Sequence, residues 1–179
     1  IDTDFDLESL SINLEKLNYY KPIDKKANLK INAVFDRNKK IIKNLKYNEF
    51  KNNIIIKNLY LNNKYQIYDF DEILINTLNN EIFNNDFAVY KKENVISVSG
   101  KKYDATYFFK TLDEDGKSKA FSKKFKGKIN FKINKIITKN EPLFDFAGIG
   151  EIKSGKLNKL TAKANFSDST VKLLYLPNA

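Results

Sequence analysis

Acidic side chains are the first candidates for chemistry. Asp2, Asp4 and Asp6 alternate along the chain, and Asp69, Asp71 and Glu72 stand close together. Alternate acids on a strand share one face, where they could hold calcium. A calcium loop also needs a glycine and a terminal glutamate at set positions, and neither cluster has them. Solvated charges that discourage strand-to-strand aggregation explain both clusters better. Asp113-Glu114-Asp115-Gly116-Lys117 lacks spaced ligands and reads as a loop tip. Gly148-Ile149-Gly150 is followed by neither the third glycine nor the helical pattern of a phosphate cradle. It reads as a strand packed closely on its neighbour. No pair of carboxylates is spaced for acid–base work.

The missing residues say more. The chain has no histidine and no cysteine. Nucleophilic triads built on histidine, thiolate zinc sites and cysteine nucleophiles are therefore out of reach. The expectation is a non-enzymatic protein with no cofactor and no metal.

The formal charge is +10, with 32 basic residues of which only Arg37 is arginine. Nucleic-acid readers lean on arginine for bidentate phosphate and guanine contacts. Here lysines are scattered, often in pairs such as Lys39-Lys40 and Lys101-Lys102. Lysine, asparagine and isoleucine are over-used together, the set that AT-rich coding sequence favours. A solvated lysine surface is the plain reading. Phe and Tyr between lysines could stack bases, but the compact aromatic signature of an RNA-binding sheet is missing. No nucleic-acid partner is expected.

Stepping from side chains to elements, the dominant pattern has period two, the mark of half-buried strands. Leu10, Ile12 and Leu14 alternate with polar residues, as do Leu29, Ile31, Ala33 and Phe35. Ile129, Phe131 and Ile133 follow the same rule, then Leu160, Ala162, Ala164 and Phe166, then Val171, Leu173 and Tyr175. Ile54 to Ile56, Tyr65 to Phe70 and Phe87 to Val98 read as less regular strands. Turn residues fall at Asp36-Arg37-Asn38, Asn62-Asn63, Asn84-Asn85, Asp115-Gly116, Ser154-Gly155 and Ser167-Asp168-Ser169. The 14 Phe and 10 Tyr supply apolar surface for a core. The predicted fold is mainly β: an antiparallel, twisted or curved sheet of hairpins with an apolar face or groove, plus one or two short helices.

Residues 1–112 form a β-rich segment with a short helix near 104–112, opened by Asp104 as cap. Residues 113–128 are a charged loop or boundary. Residues 129–179 are hairpins continuing the same sheet. The longest uncharged run, Ile73 to Asn80, has eight residues. A spanning helix needs about 20. The chain opens at Ile1 and contains no methionine. We read it as a fragment or processed segment of a larger protein, with any signal or anchor outside it.

Three stretches, in order, carry a family resemblance. The first runs from Ser9 to Lys30: an alternating strand, the pair Tyr19-Tyr20, then Lys21-Pro22, then Ala27 opening the next strand. The second is Asn85-Asp86-Phe87. The third is Gly100 to Phe109, with Asp104-Ala105 after a strand end. This order resembles the AsmA-like family of bacterial envelope proteins, specifically its YhdP-type central region, over about residues 9 to 110. The chain departs from the common pattern at Ile23-Asp24-Lys25, where relatives often have a small residue and glycine. The resemblance implies a long twisted β-structure with an apolar groove. It implies a periplasmic segment of a protein anchored in the inner membrane and implicated in moving phospholipid to the outer membrane. The implied partners are phospholipid acyl chains, with membrane contact through parts outside this chain. It carries over no catalytic residues.

An acyl chain gains about 0.8 kcal/mol for each methylene removed from water. Candidate groove residues are Ile12, Leu14, Ile31, Phe35, Ile129, Phe131, Ile133 and Phe166. Surface lysines could assist contact with anionic head groups, at about 1 kcal/mol each. Two other readings stay open: a β-sandwich scaffold or adhesion module in which the same residues form a closed core, and a nucleic-acid-binding domain. Periodicity alone does not separate a groove from a core.

Overall fold

The computed structural model describes residues 1–37, 39–79, 82–107 and 121–176. Fourteen strands follow in chain order among them. They are β1 (Asp2–Asp6), β2 (Ile12–Leu14), β3 (Tyr19–Lys21), β4 (Asn28–Phe35), β5 (Lys40–Glu49), β6 (Asn52–Leu61), β7 (Ile67–Asp69), β8 (Glu72–Asn79), β9 (Ile82–Lys92), β10 (Val95–Asp104), β11 (Gly127–Ile137), β12 (Leu143–Lys153), β13 (Lys156–Phe166) and β14 (Ser169–Tyr175). The fold is mainly β and mostly antiparallel, as the alternation requires.

One mixed sheet holds all but two of the strands, in the order β1-β4-β5-β6-β8-β9-β10-β11-β12-β13-β14. The short β7 pairs with β6 beyond the end of β8. Tight two-residue turns make the hairpins at Phe50-Lys51, Glu93-Asn94, Ser154-Gly155 and Ser167-Asp168. Phe50, Glu93, Ser154 and Ser167 all take positive φ, the hand that matches strand twist. The antiparallel pairing breaks once. β10 and β11 run parallel, joined by a crossover rather than a hairpin.

Two further expectations need correction. Asn84-Asn85 is not a turn. Both asparagines sit inside β9 and are buried. Asp104 does not open a helix over the described residues. It ends β10, and its carboxylate accepts the Thr106 amide in a short turn. Residues 108–112 lie outside the described residues, as do Asp115-Gly116 and the first half of the charged segment 113–128. The only helical piece among the described residues is a 3-10 turn at Glu15–Leu17.

Strands β2 and β3 form a separate two-stranded pad. Its residues Leu7, Ile12, Leu14, Leu17 and Tyr19 pack on Ala27, Leu29, Tyr47, Ile54 and Ile75 of the large sheet. At the other end of the strands, residues 121–125 form a strap. Ser122 N–H donates to Ile67 O at 2.7 Å, and Gly155 N–H donates to Phe125 O at 2.8 Å. The strap itself is a turn closed by Phe125 N–H to Ser122 O, 2.9 Å. So β7 and the β12–β13 turn stand within about 15 Å. In a flat sheet, four to five strand spacings would put them about 19–24 Å apart. The sheet is therefore curled. Register shifts in β4–β5, β8–β9, β9–β10 and β12–β13 supply the bends.

Curling needs close backbone approach at one position in particular. A Cβ on Gly100 would stand 2.3 Å from Asp86 O and 2.4 Å from Phe87 Cα, beside the register shift of β10 on β9. We predict that Gly100→Ala destabilises the chain by about 1–3 kcal/mol, since only backbone could yield. Urea unfolding followed by circular dichroism measures it. An unchanged midpoint would refute the close approach.

Candidate functional site

Register carries one apolar row through the whole sheet. Thr3, Ile31, Leu45, Ile56, Ile73, Val89, Val98, Phe131, Gly148, Ala162 and Leu173 are successive cross-strand partners from β1 to β14. A second row on the same face runs Phe5, Leu29, Tyr47, Ile54, Ile75, Phe87, Gly100, Ile133, Phe146. Side chains two apart on a strand share a face, so both rows line one surface. The opposite face carries Lys30, Lys46, Lys132, Lys163 and Lys172 in the matching register, with Ile55, Leu74, Ala88 and Ala147 among them.

The apolar face is covered at two places. The pad seals one end through Tyr19, Tyr47 and Ile54. The strap seals the other: Phe125 stacks on Phe70 at 6.0 Å and on Phe121 at 4.7 Å, over buried Leu59, Ile96 and Ile129. Ile31, Leu45, Ile56, Ile73, Val89, Val98 and Phe131 are half-buried, and the last five of these pack against the cluster under the strap. Across the curl, Ile42 and Leu59 of β5 and β6 share one cluster with Ile152 and Leu157 of β12 and β13. No second large sheet exists among the described residues. The result is a single curled sheet whose apolar face is partly covered by pad and strap.

The eight sequence-derived groove residues divide among these features. Ile31 and Phe131 belong to the central row. Ile129 and Ile133 flank Phe131 on β11, on the same face, and both are buried. Phe35 and Phe166 end their strands and are exposed, Phe35 edge-on to Tyr65 at 6.5 Å. Ile12 and Leu14 sit in the pad, which covers the face rather than forming it. Leu45, Ile56, Ile73, Val89 and Val98 were not singled out by the sequence. Their place depends on register, which a single strand pattern does not reveal.

A buried polar network fixes the pad on the sheet. Asn85 Nδ2 donates to Leu17 O at 2.6 Å and to Thr77 Oγ1 at 2.8 Å. Its Oδ1 accepts the Asp104 amide at 2.9 Å. Asn84 Nδ2 reaches the carbonyls of Leu17 and Asn18, both at 3.1 Å, and Asn18 Nδ2 donates to Asp104 Oδ2 at 2.8 Å. Lys21 is fully buried, and its ammonium donates to the carbonyls of Leu10 at 2.6 Å, Pro22 at 2.9 Å and Glu8 at 3.4 Å. A buried charge needs such bonds in place of water. The Lys-Pro, Asn-Asp-Phe and Asp-Ala stretches thus sit in and around the pad's anchorage. Comparisons with protein-family models, with curated proteins and with solved structures find no match.

Beside the pad lies a more polar cleft of about 910 Å³, lined by Tyr20, Lys25, Lys26, Glu49 and Phe50 among others. Glu49 is buried there and accepts from Asn52 Nδ2 and from Tyr19 Oη at 3.1 Å. Tyr19 and Tyr47 share a 2.6 Å hydroxyl contact. Among the described residues no group of three or more Asp or Glu stands together as a metal site would need.

Burial raises the Tyr19 and Tyr47 hydroxyls above their ordinary value of 10.0. For Tyr19, the Tyr47 hydroxyl and the Glu49 charge add to the same direction. A group whose folded value is raised favours the protonated form in the fold. Its stabilising share is whole below about pH 10 and falls as pH climbs above it, because the unfolded chain ionises first. We predict falling stability from pH 10 upward. A Tyr19→Phe chain should show a shallower alkaline loss in urea melts, and an equal slope would contradict the assignment.

Proposed function

We propose that the chain is a section of an AsmA-like lipid conduit, holding phospholipid acyl chains against its apolar face. The observation that carries this is the apolar row, whose side chains from Ile31 to Phe131 are only half-buried. Water covers such a surface poorly, and each methylene laid on it contributes about 0.8 kcal/mol. A dozen methylenes contribute about 10 kcal/mol before the cost of ordering the chain. The row passes through eleven of the main sheet's twelve strands, so a guest could slide along it without re-entering water.

The resemblance supports the same reading. Its three stretches are non-contiguous in sequence, yet Asn85 and Asp104 bond to each other and both hold the pad that contains Lys21. A shared fold would keep such stretches in order because they build one anchor. In this reading the lysine-bearing back face stays wet, and the periplasm is the compartment crossed, from an inner-membrane anchor toward the outer membrane. No role in catalysis is assigned to any residue.

Organic extraction of the purified chain, followed by mass spectrometry, tests the proposal. We expect phospholipid at a substantial fraction of one per chain after extensive washing. A lipid-free chain that also takes up none from vesicles would favour a closed scaffold module instead.

A further inference from the structure

Two residues beyond Tyr47 on β5, the apolar face turns polar. Glu49 is buried there opposite Asn52, and both line the 910 Å³ cleft beside the pad. A buried carboxylate needs donors in place of water. Glu49 Oε2 accepts from Tyr19 Oη at 3.1 Å and from Asn52 Nδ2. Its Oε1 has Lys25 Nζ at 4.0 Å, beyond hydrogen-bond length, and that lysine side chain is mostly exposed. One oxygen of a buried carboxylate is therefore left for a donor that enters the cleft.

The rim of the cleft carries an independent sign. Phe50 follows Glu49 in the β5–β6 turn at φ 51°, where asparagine or glycine sits with less strain. Its ring is 83% exposed, the most exposed large apolar side chain among the described residues. Neither turn geometry nor packing asks for phenylalanine there, and strain of this kind collects at ligand sites. Tyr20 of the pad lines the same cleft and is 63% exposed. Charges along the cleft nearly balance, with Glu15, Asp24 and Glu49 against Lys25 and Lys26. An anion would meet three carboxylates, and a cation two ammonium groups. Aromatic faces suit the C–H face of a sugar ring, while carboxylate and ammonium groups suit its hydroxyls. The volume lies within the range of small-molecule sites, about 300–1,000 Å³. We propose that this cleft binds a neutral oligosaccharide, with ring faces on Phe50 and Tyr20 and a hydroxyl donating to Glu49 Oε1. The proposal does not rest on the conduit reading.

Saturation-transfer NMR on the whole chain tests it. The probes are neutral trisaccharides of glucose, galactose, mannose and N-acetylglucosamine, with trigalacturonate and tetramethylammonium as charged comparisons. We expect stronger transfer to at least one neutral sugar than to either charged probe. Phe50→Asn removes the ring and suits the turn. It should weaken sugar binding about ten-fold or more, while the urea midpoint holds or rises. Glu49→Gln, which removes the charge and keeps the shape, should also weaken it. No transfer to any neutral sugar, or stronger transfer to a charged probe, would overturn the proposal. So would unchanged sugar affinity in the Phe50→Asn chain. A Phe50→Asn chain that loses stability along with binding would overturn it too, since the ring would then be a packing residue. No lipid enters this assay, so its failure leaves the conduit reading to its own extraction test.

Discussion

On the proposed conduit reading, Val89→Asp is expected to weaken acyl-chain binding about 100-fold. Val89 sits mid-row between Ile73 and Val98 and keeps part of its surface exposed. A carboxylate there holds its own water and denies the guest about three or four methylene contacts. At about 0.8 kcal/mol each, that is about 3 kcal/mol, or two orders of magnitude in affinity. Val89→Leu should bind within a few-fold of the parent, because it stays apolar. Displacement of a fluorescent fatty acid reads both, with circular dichroism confirming the fold. Equal affinity for the Asp and Leu chains would show that hydrocarbon lies elsewhere.

Asn85→Ala carries the largest expected loss of stability, about 2–4 kcal/mol. The side chain makes three short bonds to Leu17, Thr77 and Asp104, and it has no exposure at all. Truncation leaves the Asp104 amide without this acceptor, and a buried unmet donor costs about 1–3 kcal/mol. Leu17 keeps a bond from Asn84, which limits the damage on that side. Asn85→Asp should be no better. Its carboxylate still accepts from Asp104 N–H but has no proton to give Leu17 O or Thr77 Oγ1. Hydrogen exchange should rise in Tyr19–Lys21 before it rises in β11 or β12. Uniform exchange across the chain would mean the network supports the whole sheet rather than the pad.

The legible part of this fold was the part encoded by single strands. Leu29 to Phe35, Ile129 to Ile133 and Leu160 to Phe166 alternate cleanly and became β4, β11 and β13. Gly148 and Gly150 read as close packing, and added Cβ atoms there would meet Ala162 and Lys159 of β13. What the pattern hid was non-local. Asn84-Asn85 has turn chemistry in isolation. Its amides instead bond to Leu17, Asn18 and Asp104, partners about 20 to 70 residues away, which no local rule detects. The parallel joint at β10–β11 follows a crossover rather than a turn, so no hairpin signal marks it. Ile54-Ile55-Ile56 shows no alternation because Ile55 faces Lys46 and Leu74 across the back of the sheet.

The same limit governed the site. Ile31 and Phe131 were recognisable as inward residues, but their membership of one row is a fact about ten pairings. Ile12 and Leu14 have the right period and the wrong element, because β2 leaves the main sheet to form the pad. Alternation tells which side of a strand is apolar. It does not tell whether that side meets solvent, a lid or a guest.

The chain lacks tryptophan, which permits one direct measurement. A single tryptophan is placed at Phe131, in the row, and in a second chain at Leu174, exposed on the back of β14. Each is titrated with phospholipid brominated along its acyl chains. A greasy trough that takes up hydrocarbon gives strong saturable quenching at position 131 and little at 174. No quenching at 131, or equal quenching at both, would mean that lipid never enters the curl of the sheet.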